Sequence, residues 1–325
     1  MKNFAAATIA VAVAAMAAFG LAGSFGTARA GSQPTSDPLS ALPDGIGAVV
    51  VDIGQMTASS AWATLSGPGK TAHAIHGVES DLEDLGLKLS DLKQAAISFS
   101  KVSTNDSVIV ISGNLNQNDL LSRLRANPKV KLTSESYKNF EIYRAVNTSA
   151  GSSKSGDVTF AFLDAATAAL GTTGGVKSAI DVHTGDKPGI AANPIIEGAL
   201  SQTAAAAIRF AFAPPEGAFA STESSKLPLP DMTSVKLIFG TIGVNAGIDI
   251  NATLRNDTAE HAQAMAAQLN GLLAMAKGFL GSSSSTSARN SSIGEALKTI
   301  AINSTGADVT VTGAVSPEVL GKLIH

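Results

Sequence analysis

Ser112-Gly113-Asn114-Leu115-Asn116-Gln117-Asn118-Asp119 and Asn251-Ala252-Thr253-Leu254-Arg255-Asn256-Asp257-Thr258 are the two stretches on which the fold turns. Each carries the chain out of a β-branched run, through polar residues, and into a helix. Two strands precede the first, at 95–101 and 107–115, with Ser103-Thr104-Asn105-Asp106 as the turn between them. Two strands also precede the second, at 235–242 and 247–254, joined through Asn245-Ala246. The helix after the first junction is fully punctuated. Asn116 caps it, Asp119 sits in its first turn, Leu120, Leu121 and Leu124 form its apolar stripe, and Arg123 and Arg125 lie at its C-terminal end. Acid first and base last suits the helix dipole, and Pro128 forbids continuation.

The second helix opens with the spacing of a capping box, Asp257 to Glu260, and carries Ala262, Met265, Leu269, Leu272 and Ala276 at three- and four-residue steps. Each helix is followed by two strands, at 130–135 and 140–145 in the first half and at 299–304 and 308–315 in the second. A buried strand leads each half, Ala48 to Ile53 and the alanine- and phenylalanine-rich run 205–213. Helices are expected at 55–65 and 79–93, and Ser316-Pro317-Glu318 starts a final short one, with proline where its missing N–H costs nothing. The repeated order predicts an α+β fold: two related units of antiparallel sheet with helices on one face. Short turns between consecutive strands require antiparallel pairing.

The N-terminus carries an export signature. Lys2 precedes an apolar run from Phe4 to Leu21, and Ala28-Arg29-Ala30 gives the small-x-small pattern cut by signal peptidases. An uncleaved anchor is the alternative, because the run is about as long as a short membrane span. The expected organisation is a signal peptide over 1–30, a proline-containing linker over 31–44, and α+β domains over 45–202 and 203–325. The expected location is the periplasm or the outside of the cell, and no second stretch of the sequence reads as a span. Cleavage would leave 21 bases against 26 acids, a mild and dispersed charge that argues against nucleic acid as a partner. The absence of cysteine rules out disulfides, thiolate metal sites and a lipid anchor on cysteine.

Between the halves, Thr159-Phe160-Ala161-Phe162-Leu163-Asp164 reads as a strand, Thr167 to Gly171 as a second short run, and 174–180 as a helix. Asn193-Pro194 opens another helix. The segment 159–182 resembles one that recurs in uncharacterised exported bacterial proteins, where an aromatic strand ends in Asp and a second strand ends in Gly before a helix. The repeated halves are similar to those proteins too. The resemblance implies a bacterial envelope or secreted protein with a duplicated α+β domain and no assigned activity.

Few residues carry a chemical signal. His73 and His76, with Glu79 and Asp81 beyond, have a spacing that could hold a metal, yet a solvated polar helix gives the same pattern. Gly69-Lys70-Thr71 imitates the end of a phosphate-binding loop, but Thr64 stands where that loop needs glycine. Ser90-Asp91-Leu92-Lys93, Tyr137-Lys138-Asn139 and His183-Thr184-Gly185 occur in the order of the three motifs of penicillin-binding and β-lactamase-like enzymes, in which a lysine-activated serine attacks an amide or ester. The chain resembles that family in these residues alone, with no room for its helical domain. Asp181 and His183 suit a helix end, His261 the polar side of a helix, and Trp62 stands without the aromatic neighbours that a stacking platform needs. The expected function is therefore non-catalytic binding of a macromolecular partner or small ligand, with no cofactor. A serine hydrolase using Ser90 and Lys93 is the alternative.

Overall fold

A computed structural model describes residues 37–67, 87–99, 107–148, 158–203, 205–216, 232–282 and 288–324, with isolated positions between them. In the first half the strands are β1 (Gly47–Asp52), β2 (Leu92–Phe99), β3 (Val108–Gly113), β4 (Val130–Tyr137), β5 (Phe140–Asn147), β6 (Val158–Phe162) and β7 (Thr167–Gly171). The second half supplies β8 (Ile208–Phe212), β9 (Val235–Val244), β10 (Ile248–Asn256), β11 (Ala301–Thr305) and β12 (Asp308–Val315). The helices are α1 (Ile53–Thr57), α2 (Ser60–Ser66), α3 (Gln117–Ala126), α4 (Thr173–His183), α5 (Pro194–Ser201), α6 (Ala259–Ser282), α7 (Ala288–Thr299) and α8 (Pro317–Ile324).

All twelve strands join one antiparallel sheet in the order β11–β12–β10–β9–β8–β1–β2–β3–β7–β6–β5–β4. The halves meet where β1 pairs with β8, Val49 opposite Phe210. Outward from that seam the second half runs β8–β9–β10–β12–β11, and the first runs β1–β2–β3, then β5 and β4, with the hairpin β7–β6 slotted in between. β1 is buried along most of its length, as a strand covered on both faces must be.

Alternation along the strands builds two cores. On one face, Val51, Ile111, Tyr143, Phe160, Leu170, Ile208 and Ile242 pack with the apolar side of α3 (Leu120, Leu121, Leu124) and with Leu320 of α8. The same face continues to α6, whose Ala262, Met265 and Ala266 meet Val309 and Leu254. The helices that follow the two junctions therefore share one face. The opposite face takes Val50, Ala96, Val110, Ala161 and Phe239 and is covered by Val176 and Ile180 of α4 and Ile196 and Leu200 of α5. These two helices come from the stretch between the repeated units. Leu42 and Ala41, in the stretch expected as a linker, pack into this second core at 0% and 1% exposure.

Local chemistry explains most boundaries. Asn116 caps α3 by accepting from Asp119 N–H at 3.1 Å, and Asn193 caps α5 ahead of Pro194. Gly171 ends β7 at φ +156°, where a Cβ would stand 2.1 Å from the Ser107 carbonyl oxygen. Glycine alone lets the chain pass so close before Thr172 caps α4. Three sequence expectations need correction. The helix at 55–65 is two helices, because the Ser59 hydroxyl donates to the Met56 carbonyl and accepts from Trp62 N–H, ending one turn and starting the next. The helix expected to run to 93 gives way to a 3₁₀ turn, Leu89–Asp91, and to β2, which begins at Leu92. The cap of α6 is Thr258, which accepts from His261 N–H; Asp257 instead meets the His261 ring at 2.6 Å. The two junctions also differ in length, since three residues separate β3 from α3 and two separate β10 from α6.

Candidate functional site

Two places concentrate polar groups. The first lies where the β4–β5 hairpin meets the C-terminal end of α4. Asp181 is buried there, at 5% exposure, because α4 lays it against the sheet end, and the hairpin delivers its partners. The Tyr137 hydroxyl donates to its carboxylate at 3.0 Å, and Lys138 and Lys187 bridge to it, Lys187 at 2.7 Å. Burial pushes the Asp181 carboxyl up, but hydrogen bonds from Lys138, Lys187 and Tyr137 outweigh it and hold the group at about 2. The hydrogen bond to Asp181 raises Lys138 in turn, and Asp186 adds a second one at 2.7 Å. Lys138 is the first central residue of the two-residue turn and takes φ +54°, a conformation that side-chain-bearing residues seldom adopt. Asp181, Asp186, Tyr137, Lys138 and Lys187 are matched to one another, so the cluster clamps a helix to a hairpin.

Tyr137 and His183, from two of the three hydrolase-like motifs, are thus neighbours: the exposed His183 ring packs edge-on against Phe140, 5.8 Å between centroids. Ser90 and Lys93 are elsewhere. They belong to the start of β2, and β3, β7 and β6 lie between β2 and β5. At about 4.8 Å per strand, five steps separate the β2 end from Tyr137 by roughly 24 Å. Ser90 itself sits inside the 3₁₀ turn that Lys88 precedes. The structure does not assemble Ser90 and Lys93 with Tyr137 and His183. His73, His76 and Asp81, and the Gly69-Lys70-Thr71 run, lie outside the described residues. Among the described residues no three His, Asp or Glu side chains are grouped to hold a metal, and no helix is long and apolar enough to cross a membrane.

The second place is a hollow of about 490 Å³ at the end of the second half. Three separate stretches of chain build it. The β9–β10 turn brings Asn245 and Gly247, the end of α7 brings Glu295 and Thr299, and the passage from β12 into α8 brings Ser316 and Val319. The wall is mixed: Val315, Pro317 and Val319 are apolar, while Asn245, Asp249, Glu295, Thr299 and Ser316 are polar. Thr299 holds the floor in shape, its hydroxyl accepting from Ala314 N–H at 2.7 Å. The Ser316 hydroxyl caps α8 by accepting from Val319 N–H. Burial raises the Asp249 carboxyl, and the amide of Asn245 donates to it only at 3.4 Å. Glu295 is paired at 2.6 Å with Lys298. Such a wall can seat a small molecule with an apolar body and one hydrogen-bonding or cationic group. A smaller gap under α3, about 20 Å³ between Leu124, Leu115, Ile111 and Phe160, is wholly apolar and too small for more than one water.

No residue of the hollow stands out in the sequence. Its only traces there are the Asn245-Ala246 turn and the Ser316-Pro317 helix start, both of which have sufficient local reasons to exist.

Comparison with known proteins gives a distant structural likeness. The chain is similar to the solved structure of TP0453 in crystal form I, with 11% identity over 89% of this chain and 96% of that one and a TM-score of 0.48. Crystal form IV of TP0453 matches with 9% identity over the same shares and a TM-score of 0.47. No family model and no curated protein matches the sequence.

Proposed function

We propose that this chain is an exported, non-catalytic binding protein made from two fused copies of one β–β–β–α–β–β unit, and that a small ligand occupies the hollow between the β9–β10 turn, α7 and α8. The hollow carries the reading: at about 490 Å³ it falls within the usual range for small-molecule sites, and it pairs an apolar wall with a few polar groups. Support for non-catalytic action comes from the separation of Ser90 and Lys93 from Tyr137 and His183 by intervening strands. Support for export to the periplasm or beyond comes from Lys2, the apolar run after it, and Ala28-Arg29-Ala30. The mirrored strand orders about the β1–β8 seam support duplication, with β6, β7 and α4 as an added segment that follows the first copy in the chain and inserts its hairpin between β3 and β5 of the sheet. A pseudo-twofold arrangement of this kind leaves the insertion free to cover the second sheet face.

The test has two arms. A panel of small amphiphilic compounds is screened by thermal shift against the purified chain and against Val319→Trp, which fills the hollow with an indole. Compounds that stabilise the native chain should lose their effect on the variant. In parallel, nitrophenyl esters and nitrocefin should remain intact. Turnover that disappears in Ser90→Ala would replace this reading with the hydrolase one.

A further inference from the structure

We propose that β4 is a self-pairing edge, and that two copies of the chain join through antiparallel β4–β4 pairing centred on Thr133. β4 is the last strand of the sheet, and no described element lies outside it. Terminal strands usually carry a bulge, a proline, a cover or charged side chains that block a second sheet from adding on. β4 has no bulge, proline or cover among the described residues, and its two charges, Lys131 and Glu135, are of opposite sign. Its register with β5 is unbroken from Val130 opposite Asn147 to Tyr137 opposite Phe140, and its sequence contains no proline. The opposite edge is treated differently: β11 is five residues long, and Asn270 of α6 donates to the Ile302 carbonyl at 3.2 Å.

The ladder fixes which residues offer their backbone. Thr148 N–H donates to the Lys129 carbonyl at 2.8 Å, in the same register as the β4–β5 pairs. Hydrogen-bonded positions alternate in an antiparallel pair, so the odd residues of β4 bond to β5. Leu132, Ser134 and Ser136 then turn their N–H and C=O groups outward. A twofold pairing must match outward residues with outward residues, and centring on Thr133 does so: Leu132 meets Ser134, and Val130 meets Ser136.

That centre also matches the charges. Lys131 falls opposite Glu135 of the second copy, twice per dimer, and both side chains lie on the face that α4 covers, where Glu135 already meets Lys177 at 2.8 Å. Opposite charges facing each other across a strand pair stabilise it. The strand thus carries its own complement, which selects a second copy of this chain over an unrelated strand. Lys129 falls opposite Tyr137, adding a cation beside an aromatic ring.

The experiment uses the absence of cysteine from the chain. Thr133 faces its twin in a non-hydrogen-bonded pair, where the Cα atoms lie about 4.5 Å apart, within disulfide reach. Thr133→Cys should form a disulfide-linked dimer under mild oxidation far faster than Lys322→Cys, a control at a position remote from β4. Light scattering on the purified chain should show a concentration-dependent dimer. Lys131→Glu should weaken it about tenfold or more, and the charge-swapped Lys131→Glu/Glu135→Lys variant should restore it. Circular dichroism identifies any variant that fails to fold, and Thr133→Cys, a small change on an exposed strand, keeps the test available in that case. A chain that stays monomeric overturns the proposal. So does a dimer that ignores the charge changes while Thr133→Cys oxidises no faster than the control.

Discussion

The Tyr137 hydroxyl donates to the Asp181 carboxylate at 3.0 Å, joining a hairpin turn to a helix end 44 residues away in the chain. Two residues from motifs that suggested catalysis are therefore spent on a structural clamp. The buried carboxylate accepts from a phenol and two lysines at once, which leaves Tyr137 and Lys138 committed to Asp181 rather than to a substrate.

Replacing Asp181 by alanine should destabilise the fold by about 2 kcal/mol, the usual loss when charge-assisted hydrogen bonds of a buried group are removed. Chemical denaturation of the two proteins checks it. The pH dependence has a definite sign. Asp181 falls from an ordinary 3.8 to about 2 in the folded chain, so its contribution is complete above 3.8 and is lost as pH drops toward 2. Stability profiles of native chain and Asp181→Ala should converge across that interval. Parallel profiles would refute the clamp.

Leu124 is 1% exposed and caps the apolar gap beneath α3. Leu124→Ala should cost about 3 kcal/mol, because the new void merges with the existing one and neither can be filled by collapse. A loss well under 1 kcal/mol in denaturant melts would mean that α3 is loosely seated.

The Ser112 hydroxyl is buried without a hydrogen-bond partner among the described residues. Removing such a group also removes its desolvation cost, so Ser112→Ala should leave the melting temperature unchanged or raise stability by up to about 1 kcal/mol. A clear drop would mean that the hydroxyl is satisfied in solution.

Arg255 and Asp308 face each other across β10 and β12 and bond as a fork, at 2.8 and 2.9 Å, while the guanidinium lies 5.3 Å from the Phe239 ring centre. A double-mutant cycle with alanine at both positions should give a coupling of about 1 kcal/mol, at the upper end for partly exposed pairs because the geometry is bidentate. High salt should reduce it.

Legibility of the fold followed how local each cause was. The α3 start at Asn116, the α5 start at Asn193 and the α8 start at Ser316 all rest on one side chain and its next few neighbours, and all three were readable in the sequence. The strands β9, β10 and β12 were readable for the same reason, since each alternates over several residues between clear turns. Helix 55–65 misled because Ser59 closes one turn and opens another with the same hydroxyl, and pattern alone does not separate those uses. The helix expected to run to 93 stops short of Leu92, because pairing of β2 with both β1 and β3 takes that residue into the sheet. The β1–β8 seam had no local signature, because nothing within either strand names its partner, and Val49 meets Phe210 only in the assembled sheet. The hollow was invisible for a related reason: Asn245, Thr299 and Val319 become neighbours only after α7 and α8 have packed on the sheet.

The most direct test of the account is amide chemical-shift mapping of the chain with a stabilising compound from the thermal-shift panel. The account predicts that the perturbed amides cluster at Asn245, Gly247, Thr299, Ser316 and Val319, and that Val319→Trp abolishes the pattern. Perturbations centred on Ser90, Tyr137 or His183, with the hollow unaffected, would contradict it.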